Sequence, residues 1–162
     1  MTDDHFRITD LSNLSPSDIR NANLNFLSMS GSEYDIIPGT TKLRTRKEIQ
    51  RVAESDLDRL FTDFPIDEPL QQQCAHWFHA VAGRHFFPDA NHRTAVVTLR
   101  ELLAQNRLDS HVNWPQDPLI QSVKRSKKIR RKTSITSDTL YRRDELFDHW
   151  LGHFSETVNL PE

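Results

Sequence analysis

Length, composition and charge place this chain among single-domain globular proteins. It has 162 residues, 36% of them apolar and 27% charged, with one cysteine and a formal net charge of −2. This length can bury one sizeable core, and a lone cysteine excludes an internal disulfide framework. Apolar runs stay well short of the ~18 residues of a membrane span, and the first five residues lack a secretory signal pattern. We therefore expect one domain over residues 1–162, in the cytoplasm and without a membrane partner.

The first half of the chain carries two helix-start signals. Ser15 and Asp18 have the spacing of a capping box, and apolar residues follow with helical period. Thr45 and Glu48 repeat that spacing, and the apolar period then runs to Phe61, which predicts a second helix. Residues 31–41 look irregular, with a Pro-Gly turn near their end.

Helical patterns also dominate the second half. Residues 70–83 form an apolar stripe that includes Cys74, which is expected to be a core residue. A further helix is predicted over about residues 92–106, residues 119–132 are ambiguous, and a last helix should begin near Ser137. The predicted fold class is all-α, with at most a short β-hairpin within residues 34–43.

Residues 85–94 read H-F-F-P-D-A-N-H-R-T and carry the densest chemistry of the chain. They place an imidazole, a carboxylate and a guanidinium (His85, Asp89 and Arg93) in a loop that runs into a helix start. Free backbone N–H groups and the positive end of the helix dipole make such a start an anion site. Arginine suits phosphate, and a carboxylate suits the divalent cation that accompanies polyphosphate. The loop therefore predicts phosphate-group transfer.

The same ten residues resemble the signature of the Fic/Doc family, roughly H-x-F-x-D/E-G/A-N-x-R. With Ala90 and Thr94 in place, the sequence is nearer to the Doc branch, H-x-F-x-D-A-N-K-R-T. The close resemblance covers about residues 70–106, with weaker likeness over residues 11–69. Residues 107–162 have little likeness and are treated as a C-terminal helical extension. The resemblance implies a helical bundle with a phosphate site between a loop and a helix.

The resemblance also implies roles for the motif residues in an ATP-dependent transferase that modifies a hydroxyl of a target protein. The imidazole would be the general base, which requires its neutral form, so activity should fall on acidification. ATP is then the substrate and Mg²⁺ the accompanying cation. The implied roles are as follows: His85 catalytic; Asp89 the Mg²⁺ ligand; Ala90, Asn91, His92, Arg93 and Thr94 nucleotide- or phosphate-binding; Phe87 the loop anchor.

Which group is transferred depends on a position where this chain departs from both branches. His92 stands where the Doc pattern has lysine, linked to transfer of the terminal phosphate, and where the Fic pattern has glycine, linked to transfer of AMP. A histidine can donate to phosphate as the lysine does, though weakly when neutral, and Val96 replaces an arginine usual in the Fic branch. These departures favour phosphorylation, with AMP transfer by the same site as the alternative.

Further expectations concern regulation and partners. In the family a flap that holds the target lies roughly at residues 36–46, and an ordinary surface connection there is an equal alternative. No Glu of this chain has Ser or Thr four residues before it, so the family's inhibitory helix motif is not visible. Resemblance to Doc toxins then implies a separate antitoxin protein, and a target such as a translation elongation factor.

Two other classes of protein stay open. A metal-dependent hydrolase is suggested by a dense set of possible ligands: His76, His79, His85, Asp89 and His92. A non-catalytic binding module is suggested by residues 124–132, in which seven of nine residues are basic, leaving 14 basic and 23 acidic residues elsewhere. No aromatic residue interleaves this run, so nucleic acid is disfavoured. A solvated loop or frayed helix, or a docking point for an acidic partner, is the expectation there.

Overall fold

The computed structural model describes residues 6–29 and 33–161 and is all-α, as predicted. Within these residues no helix is both long and apolar enough to cross a membrane. A π-helical turn at His79–Gly83 extends α4, and a short 3₁₀ turn, Asp109–His111, follows α5. The α-helices are α1 (Pro16–Ser28), α2 (Lys42–Gln50), α3 (Glu54–Thr62), α4 (Leu70–Phe78), α5 (Asn91–Gln105), α6 (Gln116–Arg130) and α7 (Glu145–Thr157).

The first helix begins where its capping signal predicts. The backbone N–H of Asp18 donates to Oγ of Ser15 over 3.3 Å, and the N–H of Ser15 donates to Oδ2 of Asp18 over 2.8 Å. Each residue thus satisfies a donor that the helix end leaves unpaired, which is worth about 1 kcal/mol. The buried side of α1 presents Ile19 and Leu27, with one amide, Asn23, between them.

The second predicted helix start is wrong by four residues, and the predicted helix is in fact two. Thr41 caps α2 by accepting the N–H of Arg44 over 3.1 Å, and Thr45 lies one turn inside the helix, where its hydroxyl donates to the carbonyl of Thr41. The chain turns after Gln50 and α3 starts at Glu54. The apolar spacing continues across the turn because both helices bury their apolar side in the same core, so the period alone conceals the break.

The short β-hairpin that the sequence left open within residues 34–43 does not form. The described residues form no strand pair there, and residues 42 and 43 already belong to α2. Within the described part of the chain, the one isolated β-bridge links Val112 to Val158. A strand needs a free ladder of backbone donors, but the N–H of Asp35 donates to the Asp89 side chain instead. Positions 31 and 32 of the predicted irregular segment lie outside the described residues.

The core is centred on α4, which lies between α5 and α7. Leu70, Cys74, Trp77 and Phe78 are fully buried, so the prediction of Cys74 as a core residue is confirmed. The indole N–H of Trp77 donates to Oγ1 of Thr98 on α5 over 2.9 Å, which satisfies its polar atom inside the core. This packing fixes the end of α4, from which the loop that carries the predicted site begins.

The C-terminal region belongs to the same core. Trp150 of α7 packs on Phe78 with ring centroids 4.6 Å apart, and Phe154 packs on it at 5.1 Å. The last helix begins at Glu145, not near Ser137, because Asp144 caps it by accepting the N–H of Phe147 over 3.0 Å. The ambiguous stretch is helix α6, so most of the basic run is helical.

Close packing at Gly83 gives a stability prediction. A Cβ at Gly83 would come within 2.5 Å of Ile135 Cδ1 and 2.9 Å of Leu146 Cδ2, whereas a Cβ at the exposed Gly152 of α7 would meet nothing within 4 Å. We expect Gly83→Ala to lower the free energy of unfolding by about 1–3 kcal/mol because the core must shift. Gly152→Ala, the matched control, should raise it by about 0.5–1 kcal/mol. Urea unfolding followed by tryptophan fluorescence measures both, and equal effects would contradict this packing.

Candidate functional site

The loop between the π-helical turn and α5 is held in one shape by an amide. Oδ1 of Asn91 accepts the N–H of Phe87 over 3.1 Å, and Nδ2 donates to the carbonyl of Phe87 over 2.8 Å. The ring of Phe87 is buried in the core. His85 and Ala90 have φ values of 58° and 61°, in the left-handed region that costs a non-glycine residue energy. The loop therefore stores strain at two of its residues, which is a feature of functional loops.

His85 stands exposed at the edge of this loop with one ring nitrogen engaged. Its Nδ1 lies 3.2 Å from Nδ2 of Asn91. Because the contacts with Phe87 fix the Asn91 amide, Nδ2 is the donor, and the neutral ring carries its proton on Nε2. Loss of hydration on its packed side and the charge of Arg130 lower the pKa of His85, while Asp89 opposes them. The ring is therefore neutral at pH 7.

Asp89 and Arg93 lie side by side, one helical turn apart, under the segment of residues 33–35. Oδ2 of Asp89 accepts the N–H of Asp35 over 2.6 Å and lies 3.5 Å from Nη2 of Arg93. The same nitrogen donates to the carbonyl of Glu33 over 2.6 Å, and the guanidinium lies 5.0 Å from the ring of Phe26. The carboxylate and the guanidinium are thus brought together as predicted, with backbone groups of residues 33–35 closing over them.

Two residues that sequence reasoning missed hold this arrangement in place. Nδ2 of the fully buried Asn23 donates to the carbonyl of Asp89 over 2.8 Å and to Oγ1 of Thr94 over 3.0 Å. The hydroxyl of Tyr34 donates to Oδ1 of Asn23 over 2.8 Å and accepts the N–H of Asp89 over 3.2 Å. Burial raises the pKa of Tyr34 to about 12, so its proton stays in place. The available signal was an amide inside the apolar stripe of α1.

His92 is placed differently from the other motif residues. Its Nε2 lies 2.8 Å from Oγ of Ser126 on α6, and Ser126 also accepts the indole N–H of Trp150 over 3.1 Å. Burial, followed by the nearby charge of Lys127, lowers the pKa of His92 to about 3. The predicted donation from this imidazole to phosphate is not what the structure has: its Nε2 faces α6, and the ring joins two helices. The contribution of residue 92 to an anion site is then its backbone N–H.

The helix that follows the loop begins without a side-chain cap. Ala90 occupies the N-cap position and can accept no hydrogen bond by its side chain, so the first turn of α5 keeps its donors at the end of the helix. These N–H groups belong to the residues that the resemblance assigns to phosphate. Thr94 seals the turn from inside, since its hydroxyl donates to the carbonyl of Ala90 over 2.8 Å. The start of α5 is therefore suited to an anion.

The loop, the start of α5 and one side of α6 enclose an open cleft of about 1140 Å³. The α6 wall changes character along its length: its N-terminal part is apolar and its C-terminal part is cationic. His85, Asp89 and Arg93 all line the cleft, and the cationic part of α6 lies beside them. The α6 residues of the wall and its end are Leu119, Ile120, Val123, Lys124, Lys127, Arg130 and Arg131.

The ligand set proposed for a metal-dependent hydrolase is not brought together. His76 is buried, with Nε2 2.6 Å from Oε2 of Glu68. His79 donates from Nδ1 to the carbonyl of Leu140 over 2.5 Å, and its Nε2 lies 2.9 Å from Oδ2 of Asp144. Across residues 6–29 and 33–161 no group of three or more His, Cys, Asp or Glu side chains could hold a metal ion. Both histidines instead link α4 and its π-helical turn to neighbouring segments.

Comparison with protein-family models, with curated proteins and with solved structures finds no match for this chain. The chemistry of the site is therefore argued from its geometry. A neutral imidazole, a carboxylate, a guanidinium and an uncapped helix start face one cleft with a cationic wall. Such a cleft can bind a polyanion, hold one divalent cation through a carboxylate, and accept a proton at its edge.

Proposed function

We propose that this protein is a Doc-type transferase that moves a phosphate group from ATP to a hydroxyl of a target protein. The observation that carries the proposal is the convergence of His85, Asp89 and Arg93 with the start of α5 on one cleft. Three side chains spread over the motif point to a common space, and that space has a positive wall on α6. The resemblance of residues 85–94 to the Doc signature gives the same assignment from the sequence.

In the proposed reaction the protein positions two substrates and moves one proton. The backbone N–H groups of the first turn of α5 and the guanidinium of Arg93 bind phosphate oxygens of ATP. The target hydroxyl oxygen forms a bond to the γ-phosphorus, the bond from that phosphorus to the β,γ-bridging oxygen breaks, and ADP leaves. The hydroxyl proton passes to His85. Its lowered pKa keeps the ring neutral, so the ring can accept this proton when the hydroxyl arrives.

Two contacts must change before this reaction. Nε2 of His85 can accept a proton only when Nδ1 carries the ring proton, so the 3.2 Å contact from Asn91 has to open. Likewise, Oδ2 of Asp89 holds the N–H of Asp35 over 2.6 Å, and a cation bound there would displace that donor. We infer that the site described is a resting arrangement, which nucleotide and target convert into the reactive one.

The residues fit magnesium in the way that nucleotide enzymes use it. Mg²⁺ is usually held by one or two carboxylates together with substrate phosphates, and Asp89 is a carboxylate on the phosphate side of the cleft. When bound, Mg²⁺ would supply neutralisation of the phosphate charge. Asp89 is then the protein ligand, and the neighbouring Arg93 balances its charge when the cation is absent.

Transfer of phosphate rather than AMP is favoured by different residues in the structure than in the sequence. The sequence places the side chain of His92 where the Doc branch has its lysine, but in the structure this side chain bonds to Ser126. Support for transfer of the terminal phosphate now comes from the α6 wall, where Lys127 and Arg130 put positive charge beside His85. The triphosphate end carries most of the negative charge of the nucleotide. Lys127 and Arg130 therefore attract that end to the side of the cleft where His85 lies.

The partners proposed from the resemblance are a target protein, such as a translation elongation factor, and a separate antitoxin, both in the cytoplasm. In this proposal the basic run at residues 124–132 binds the nucleotide, whereas in a non-catalytic binding module it would dock a partner. Several of its residues line the cleft itself, so their charge serves the nucleotide.

Labelled ATP tests the proposal directly. The protein is incubated with a cell extract and ATP that carries label either at the α- or at the γ-phosphorus, and labelled proteins are identified by mass spectrometry. We expect label from the γ position alone to reach a protein, on a serine or threonine hydroxyl. Label from the α position in protein would establish AMP transfer instead, and label from neither position would contradict a transferase.

A further inference from the structure

The cationic part of α6 has charges that the fold itself leaves without an anion. Lys127 and Arg130 are three residues apart, so they lie on the same face of the helix, and both line the cleft. Among the described residues no carboxylate comes within ion-pair distance of either. Two cations on a cleft wall without a fixed anionic partner suit a mobile anionic ligand.

Arg130 is also tethered to the loop that carries the imidazole. Its Nε donates to the carbonyl of Gly83 over 3.3 Å, two residues before His85. The tether uses one of the five guanidinium N–H groups and leaves the four on the terminal nitrogens for a ligand. The guanidinium is half-buried, and this burial lowers its pKa. A bound anion would replace part of the hydration that the guanidinium has lost.

We propose that Lys127 and Arg130 bind the phosphate chain of the nucleotide, with Arg130 on the terminal phosphate beside His85. This inference rests on the proposed function, since it names further residues of the same site. It moves the basic run from a surface feature to part of the phosphate site. It also assigns a role to the C-terminal region, which has little likeness to the Doc pattern.

The other end of the cleft fits the rest of the nucleotide. Ile120 and Val123 lie on the same wall with Val96 opposite on α5, and together they offer an apolar surface to a flat base. Ten residues separate Ile120 from Arg130, which is about 15 Å along an α-helix. A nucleotide with its base at the apolar end therefore extends its phosphates toward Arg130, and the γ-phosphate comes nearest to the imidazole.

Binding of ATP, ADP and AMP, each with Mg²⁺, to the purified protein tests this orientation. We expect Arg130→Gln to weaken ATP binding by about 10- to 100-fold, ADP binding less, and AMP binding by less than about threefold. Lys127→Gln should weaken both ATP and ADP by about tenfold. Lys128→Gln is the matched control, because this exposed lysine of the same helix does not line the cleft and should leave all three affinities unchanged.

Equal losses for the three nucleotides, or unchanged ATP affinity in Arg130→Gln, would overturn the inference. Urea unfolding checks that each variant is folded, and if Arg130→Gln is not, the exposed Lys127 carries the test. The failure of this inference and the failure of the proposed function give different results. A wild-type protein that phosphorylates its target while both α6 variants bind ATP normally would retain the function and lose this inference. A wild-type protein that binds ATP through α6 but transfers no label would do the reverse, and one that binds no ATP would lose both.

Discussion

The His85→Gly variant is expected to lose about 10²- to 10⁴-fold in the rate of transfer while remaining as stable as the natural protein, or becoming about 1 kcal/mol more stable. The loss follows from removal of the exposed imidazole at the edge of the loop, which lines the cleft and is the proposed base. The stability follows from the backbone, since φ of residue 85 is 58°, where glycine is favoured. If the variant is at least as stable but transfers no phosphate, the role of His85 is catalytic and not structural.

A strained residue elsewhere supplies the matched control for His85→Gly. Arg107 has the same φ of 58° and lies just after the end of α5, where its N–H donates to the carbonyl of Ala104 and the N–H of Leu108 to that of Leu103. Arg107→Gly should therefore raise the free energy of unfolding by about 1 kcal/mol and leave the transfer rate unchanged. The rate with γ-labelled ATP and the urea midpoint are measured on all three proteins. Transfer by His85→Gly within tenfold of the natural rate would exclude His85 as the base.

The parts of this protein that sequence predicts well are those encoded by neighbouring residues. The capping box at Ser15 and Asp18 and the apolar stripe of α4 depend on separations of three or four residues, which a helix repeats. The loop is of the same kind: its chemical groups lie within ten consecutive residues, so a helix start after Ala90 brings Asp89 and Arg93 together. Local spacing was enough to place these groups on one loop.

The parts that escaped prediction depend on distant pairs. Asn23 and Tyr34 reach Asp89 from 66 and 55 residues away, and no periodicity of the sequence records such a pairing. The side of α6 that lines the cleft is set by how Ser126 and Trp150 pack, again across helices. The boundary of α7 was missed for a local reason, because Leu140 and the apolar residues of α7 share a period although the chain between them is not helical.

His92 shows how one residue can satisfy a motif and still serve the core. Its position in the sequence, beside Asn91 and Arg93, suggested a phosphate donor. In the helix, successive residues point about 100° apart, so the side chains of Asn91, His92 and Arg93 reach the loop, α6 and the residue 33–35 segment respectively. A short motif read as a string cannot separate these directions, and the packing of α6 decides between them.

Acid is expected to unfold this protein through its buried imidazoles. Burial lowers the pKa of His76 to about 4 and that of His92 to about 3, from an ordinary value of 6.5. Above pH 6.5 both rings are neutral in the folded and the unfolded chain, and they make no difference. As pH falls below 6.5 the unfolded chain binds protons that the folded protein cannot, so stability falls until the lowered pKa is reached. His92 then contributes a loss of about 3 kcal/mol by about pH 4, and His76 contributes less, because the Glu68 carboxylate beside its Nε2 favours the protonated ring.

The size of this loss decides the outcome. The two rings together remove more than about 3 kcal/mol, a large part of the 5–15 kcal/mol typical of a domain, and burial also lowers the pKa of His149 and His153. Urea unfolding at a series of pH values from about 7.5 to 4 should show a steep decline in the free energy of unfolding. His92→Gln keeps a polar partner for Ser126 but cannot take up a proton, so it should start about 1 kcal/mol lower at neutral pH and decline less steeply. A slope identical to that of the natural protein would mean that His92 takes up its proton equally in the folded and the unfolded chain, and the ring would then not be buried against α6.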